Sequence, residues 1–321
     1  MSGSITPINN GGSVNNNTTI GGGLIKSFSN LVSSNTFQKQ QQQQPEYNII
    51  NITENHESII HLHLNDIDHS DENQQFTALI KNNTRKFYFK GIINSIGKVP
   101  TTCEDSHFLS QDFTAVGVAD GVGSWRSVGV DPGEYSRSLM KHANNLSNSI
   151  NYLKPFDLIE QAYNQTQNIQ GSSTVCILKL IGTRMYHGLV GDSSFLIIRK
   201  DQILYRSKEQ THKPNHPFQL GQGSTDRPTS GDYNEHNVQE NDIVVIGTDG
   251  FFDNVFDEEV LEAIRKVESV ETFFKLLMDI ARSKSVDPNS NTPHGVRNQH
   301  RGGKQDDITV GCFVISYNQK E

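Results

Sequence analysis

VVIGTDGFFDN, Val244–Asn254, joins a run of β-branched residues to an aspartate–glycine pair. The run reads as a strand, because Val and Ile suit a pleated, packed surface. A strand has no structural use for a carboxylate at its end, so Asp249 asks for a partner outside the fold. A single Asp-Gly pair has a plain explanation as a turn: Gly takes positive φ and Asp bonds its own backbone. That explains one turn, but the chain repeats the arrangement. VGVADGVGSW puts Asp120 and Gly121 at the end of another strand, TTCEDSHF supplies Glu104 and Asp105, and GGKQDDITV places Asp306 and Asp307 at the start of a last strand. Carboxylates at the termini of central strands converge at one edge of the sheets, where each close pair repels by up to about 4 kcal/mol at an effective dielectric of about 20. Cations remove that penalty. Ligands that are all oxygen, with no histidine or thiol, suit hard ions such as Mg²⁺ or Mn²⁺. The glycine after Asp120 and after Asp249 lets an ion or its waters come close to the backbone.

Outward from that stretch, strands and turns recur. KFYFKGIINSI, FTAVGVAD, STVCILKLI, RMYHGLV, SFLIIR, QILYR, DIVVIGTD and DITVGCFVISY are rich in Val, Ile, Phe and Tyr, and several are joined by short turns. Their number predicts more than one sheet. The clearest helix begins with Asp131 as N-cap and Pro132 in first position, then lays Tyr135, Leu139, Ala143, Leu146 and Ile150 on one stripe. PFDLIEQAYNQTQ, DEEVLEAIRKV and SVETFFKLLMDIAR read as helices too. Adjacent strands and grouped helices, without regular βαβ alternation, predict an α+β fold with antiparallel sheets.

Composition bounds the remainder. Only 34% of the 321 residues are hydrophobic, and a mean hydropathy of −0.55 predicts that part of the chain is unfolded. That part is 1–45, an Asn, Ser, Thr, Gly and Gln segment with too little apolar surface to offset its ordering entropy. It has no acid, abundant serine and one apolar patch, GLIKSFSNLV, but no arginine. A mitochondrial presequence and a plain polar tail both fit, so the compartment reads as mitochondrial or cytoplasmic. Within the extension 46–85, IIHLHLNDIDH reads as a half-exposed edge strand with solvated His61 and His63 rather than a metal site, since no second ligand group has the spacing. A net charge of −8 argues against a nucleic-acid partner, which needs clustered Lys and Arg. The three cysteines, Cys103, Cys176 and Cys312, have neither disulfide nor zinc spacing. No apolar run approaches the length of a membrane span.

Taken in order, CED, ADGVG, GSST, VGDS, TDGFFDN and GGKQDDIT resemble the metal-dependent protein phosphatases, the PPM or type 2C serine/threonine phosphatases. Each motif alone is weak, but their fixed order makes coincidence improbable. GVDPGEYS and HPFQL resemble the subgroup typified by the mitochondrial T-cell-activation phosphatase homologue. The resemblance covers roughly Phe87 to Tyr317 and implies one domain over 86–318, a four-layer αββα sandwich of two antiparallel sheets flanked by helices. It also implies two Mg²⁺ or Mn²⁺ ions and phosphorylated proteins as substrates. Asp120 is then the bridging carboxylate, Asp249 and Asp306 the other ligands of the first ion, Glu104 and the Gly121 carbonyl ligands of the second, and Asp105 the holder of metal-bound water. Two such ions lower the pKa of a shared water and neutralise the phosphoryl group during in-line displacement of phosphoserine or phosphothreonine.

The chain departs from the family pattern in places. Val122 stands where commoner members carry a histidine proposed to protonate the leaving group, and Pro100 stands where they carry a phosphate-binding arginine. Lys98, Arg126 and Arg301 are candidate replacements, each equally readable as a solvated surface charge. NIQGSST lacks the acid that binds a third ion in some members. Asp192 reads as a structural turn acid, and Asp307 receives no ligand role. Two other classes remain: a catalytically dead phosphoprotein-binding module, which would have lost ligands that this chain keeps, and a small-molecule phosphoesterase.

Overall fold

The computed structural model describes residues 85–319. The polar segment 1–45 with its presequence question, and the extension up to residue 84 with the strand expected around His61 and His63, lie outside the described residues.

Two five-stranded antiparallel sheets form the centre. In chain order the strands are β1 (Arg85–Ile96), β2 (Asp105–Leu109), β3 (Ala115–Asp120), β4 (Val175–Ile181), β5 (Arg184–Val190), β6 (Ser194–Arg199), β7 (Gln202–Arg206), β8 (Asp232–Asn237), β9 (Ile243–Gly247) and β10 (Ile308–Gln319). The first sheet runs β1-β10-β9-β6-β7 and the second β8-β5-β4-β3-β2. Helices α1 (Pro132–Ser149) and α2 (Pro155–Gln165) cover the second sheet, and α3 (Asp257–Lys266) and α4 (Val270–Val286) cover the first.

Strand periodicity builds the four layers. Within β3, Val116 and Val118 point into the core between the sheets, while Ala115 and Ala119 meet α1 and α2. Val244 and Ile246 of β9 likewise face the inter-sheet core, and Val245 faces α4. Strands buried on both faces read as continuous apolar runs, which is why these segments are conspicuous in the sequence. The sandwich expected from the sequence is therefore the observed fold. Helix α1 starts as predicted, with the Asp131 carboxylate accepting from Gly133 N at 3.0 Å and Pro132 in the first turn.

The differences from expectation sit at strand ends and sheet edges. Strands β2 and β8, which the apolar pattern did not predict, are the two edges of the second sheet. DYNEHN has no apolar alternation, and an edge strand needs little. The strand through Val244 stops at Gly247, after which Asp249–Phe252 forms one helical turn. Gly250 permits that turn: a Cβ there would lie 1.9 Å from the Asp307 carbonyl oxygen.

Two aspartates fasten the shared end of the sheets. The Asp105 carboxylate, on the second sheet, accepts at Oδ2 from Thr248 Oγ1 (2.8 Å) and Thr309 Oγ1 (2.6 Å) beside the first. The buried Asp307 carboxylate accepts the backbone N–H groups of Lys98 and Glu104, both at 2.6 Å, tying the loop between β1 and β2 to the start of β10. Towards the other edge, His187 is enclosed by Phe195, Tyr205 and His236, with its Nδ1 2.9 Å from His236 Nε2. Burial lowers the pKa of His187, against the pull of Asp232, and burial with the neighbouring His187 lowers that of His236 to about 4.

Replacing Asp307 by Ala removes the acceptor of two backbone donors and is expected to cost about 2–4 kcal/mol of unfolding free energy by urea titration, with Asp307→Asn, which keeps one oxygen, costing about half. The histidine pair sets a pH dependence. Both rings are held neutral in the fold, so the unfolded chain, titrating near pH 6.5, binds more protons as the pH falls. Their contribution is complete above about pH 6.5 and is lost progressively towards about pH 4. Urea midpoints at pH 7.5 and 5 should therefore differ less in His236→Gln than in the unaltered chain.

Candidate metal centre

The carboxylates singled out in the sequence come together at the fastened end of the sandwich. Asp105 begins β2 and Asp120 ends β3, and the antiparallel register sets their Cα atoms opposite one another. Glu104 precedes β2, Asp249 opens the helical turn after β9, and Asp306 stands just before β10. Sequence separation vanishes here because β9 and β10 pair directly, with Gly247 opposite Val310.

Local hydrogen bonds explain the flanking motifs. Asp120 donates its N–H to Thr174 Oγ1 (3.1 Å), and its carbonyl accepts from Thr174 N (3.0 Å) and Ser173 Oγ (2.8 Å), so GSST holds Asp120 in place. Gly121 donates to the Glu104 carbonyl at 3.0 Å, and a Cβ on it would lie 2.3 Å from the Pro132 carbonyl oxygen. Only glycine fits between the Glu104 loop and the start of α1.

Electrostatically the centre is strained. Burial, then the charges of Asp105, Asp249 and Asp306, push the Asp120 carboxyl well above the usual carboxylate range. Burial also raises Asp105, against its two threonine donors, and Asp249, against Lys304. Asp306 goes the other way: burial alone would raise it, but Lys304 and Lys98 outweigh burial and hold it low. Asp105 Oδ1 and Asp249 Oδ1 are buried without a hydrogen-bond partner. A buried, unsatisfied carboxylate oxygen is costly, and a cation is the partner that suits it.

Two lysines bridge these acids and one arginine pairs with Glu104. Lys98 Nζ lies 2.9 Å from Glu104 Oε2 and 3.0 Å from Asp306 Oδ1, and Arg126 Nη2 lies 2.5 Å from Glu104 Oε1. Lys304 Nζ contacts Asp249 and lies 3.0 Å from Asp306 Oδ2 and 3.5 Å from Asp253 Oδ2. Among the described residues, no three His, Cys, Asp or Glu side chains are already closed into a metal cage. The donors fit a hard ion by chemistry and by the orphaned oxygens, with the ammonium groups interleaved among them.

Of the three candidate phosphate-binding cations, Lys98 and Arg126 reach the centre, and Arg301 is exposed on the preceding loop. Sequence reasoning missed Lys304. It also missed Asp253, one helical turn beyond Asp249, a spacing that could have revealed it. Asp192 lies in the turn between β5 and β6, as the sequence suggests, and burial, then the charge of Asp249, raises its carboxyl well above the usual range. Asp307 plays the structural role left to it. Val122 offers only backbone groups: its N–H donates to the Ser172 carbonyl at 2.9 Å and its carbonyl accepts from Trp125 N at 3.2 Å. A cavity of about 530 Å³, lined by Thr101, Cys103, Arg126, Val130, Asp131 and Arg137, opens beside Glu104.

No protein-family model matches the chain. The chain is 37% identical over 242 residues to "Probable protein phosphatase 2C 55" of Arabidopsis thaliana, a match covering 70% of this chain and 50% of that protein. It is 35% identical over 243 residues to "Protein phosphatase PTC7 homolog" of Xenopus laevis, covering 66% of this chain and 81% of that protein. The chain thus spans about half the length of the Arabidopsis thaliana relative and most of the Xenopus laevis one. Among solved structures, that of the photosystem II phosphatase PBCP superimposes with a TM-score of 0.66 at 29% identity, covering 72% of this chain and 99% of that one. With this fold, these motifs and these relatives, the chain belongs to the metal-dependent protein phosphatase family of the 2C type, in the subgroup of the PTC7 homologues.

Proposed function

We propose that the chain hydrolyses phosphoserine and phosphothreonine in proteins with the help of two Mg²⁺ or Mn²⁺ ions. The observation that carries this reading is the convergence of Glu104, Asp105, Asp120, Asp249 and Asp306 at one end of the two sheets, with buried oxygens of Asp105 and Asp249 left without partners.

In this reading Asp120, Asp249 and Asp306 would hold one ion, and Asp120, Glu104 and the Gly121 carbonyl would hold the other. The ions supply Lewis acidity, making water a stronger nucleophile and neutralising phosphoryl charge during in-line displacement. The chain's own groups do the remainder. Asp105, immobilised at one oxygen by Thr248 and Thr309, keeps its other oxygen without a protein partner, available to orient the attacking water. Arg126, whose side chain is 55% exposed beside the cavity, supplies a guanidinium for phosphoryl oxygens in place of the arginine that Pro100 replaces. Val122 has no ionisable proton, so protonation of the leaving oxygen falls to water or another group.

Purified protein should dephosphorylate a phosphothreonine peptide with added Mn²⁺ or Mg²⁺ and lose that activity in EDTA. Asp120→Asn should lower the rate by at least about 100-fold. Activity that survives chelation would refute the reading. Hydrolysis of p-nitrophenyl phosphate without peptide hydrolysis would turn it to a small-molecule phosphoesterase, and metal binding without either activity to a phosphoprotein-binding module.

A further inference from the structure

The acidic centre carries its own cations in a definite order. Glu104, Lys98, Asp306, Lys304 and Asp249 alternate in sign through consecutive ion pairs. Lys304 is the inner member. Its ammonium reaches Asp249, Asp306 and Asp253 together, and its side chain is only 22% exposed. Its backbone is pinned: the N–H donates to Asn254 Oδ1 and the carbonyl accepts from Asn254 Nδ2, both at 2.9 Å. Beyond that anchor only the four-carbon stem and its ion pairs fix the ammonium, a compact, readily hydrated charge on a flexible chain.

Asp249 and Asp306 are the carboxylates assigned above to the first ion. An ammonium and a divalent ion on the same oxygens repel one another, and the divalent ion carries twice the charge. From this we infer that Lys304 is a built-in competitor for the first ion: its ammonium and a divalent cation hold the oxygens of Asp249 and Asp306 in turn. Metal uptake swings the ammonium out of the centre while Asn254 keeps the backbone still. Without the ion, Lys304 compensates the repulsion among Asp249, Asp253 and Asp306, so the sandwich end stays closed. With it, affinity is weaker than the number of acids alone would give. The inference rests on the reading of Asp249 and Asp306 as ligands.

The test uses the full chain and reads binding and exposure, not turnover. Lysine acetylation by N-hydroxysuccinimidyl acetate, followed by mass spectrometry, should rise severalfold at Lys304 when Mn²⁺ is saturating and stay constant at the exposed Lys275. Calorimetry should show Lys304→Gln binding Mn²⁺ about tenfold more tightly than the unaltered chain, with Lys304→Arg close to the unaltered value. In EDTA the Gln variant should melt at a lower temperature and gain more on adding Mn²⁺. Unchanged or reduced Lys304 labelling in a chain that demonstrably binds Mn²⁺ would overturn the inference and leave the proposed function standing, as would a Gln variant that binds no more tightly. If the Gln variant does not fold, labelling of the unaltered chain decides alone. An unaltered chain that takes up no Mn²⁺ would remove both readings.

Discussion

Like charge crowded at one end of a β-sandwich is the constraint that organises this molecule. Carboxylates sit where β2, β3, β9 and β10 begin or end, and the antiparallel pairing that makes the sheets stable also presses those carboxylates together. Relief comes from several directions. Threonine hydroxyls satisfy one oxygen of Asp105, backbone amides satisfy both oxygens of Asp307, and lysines separate Glu104 from Asp306 and Asp306 from Asp249. Oxygens that none of these reach are the ones a divalent ion is suited to fill. Structure and chemistry therefore share one device, and it is not possible to ease the repulsion fully without losing the site.

Much of this was legible before any coordinates. Strands buried on both faces announce themselves as unbroken Val and Ile runs, and Asp120, Asp249 and Asp306 each interrupt such a run where it meets a turn. The pattern of strands and helices pointed to α+β with more than one antiparallel sheet, and the four-layer arrangement came from the family resemblance. The edge strands of the second sheet escaped notice, since β8 is built from Asp, Tyr, Asn, Glu and His and relies on β5 for its conformation. The role of Lys304 escaped for a different reason. A lysine in a polar glycine-rich stretch looks like solvated charge, and only folding reveals that Asn254 draws its backbone against the Asp249 turn.

The departures from the commoner family pattern look coherent in space. Pro100 and Val122 take away an arginine and a histidine from the centre, while Lys98, Arg126 and Lys304 bring positive charge to its acids by other routes. Positive charge on this side of the sandwich comes from loops, and the carboxylates sit where the strand ends put them. A fold of this kind fixes acids through backbone register and leaves bases to reach in from loops, which makes the bases the freer part to vary.

Strands β1 and β10 pair along their whole length, Arg85 opposite Gln319 and Ile96 opposite Ile308. Both run from the acidic end to the far rim of the sheet, about 35 Å at the usual rise per residue. The points where further polypeptide joins the domain are thus neighbours, on the rim opposite the chemistry. A tether or tag attached at either point has room to move without crossing the mouth of the centre, and joining the two points by a short linker while opening a surface turn elsewhere would give a circular permutant with the carboxylates undisturbed.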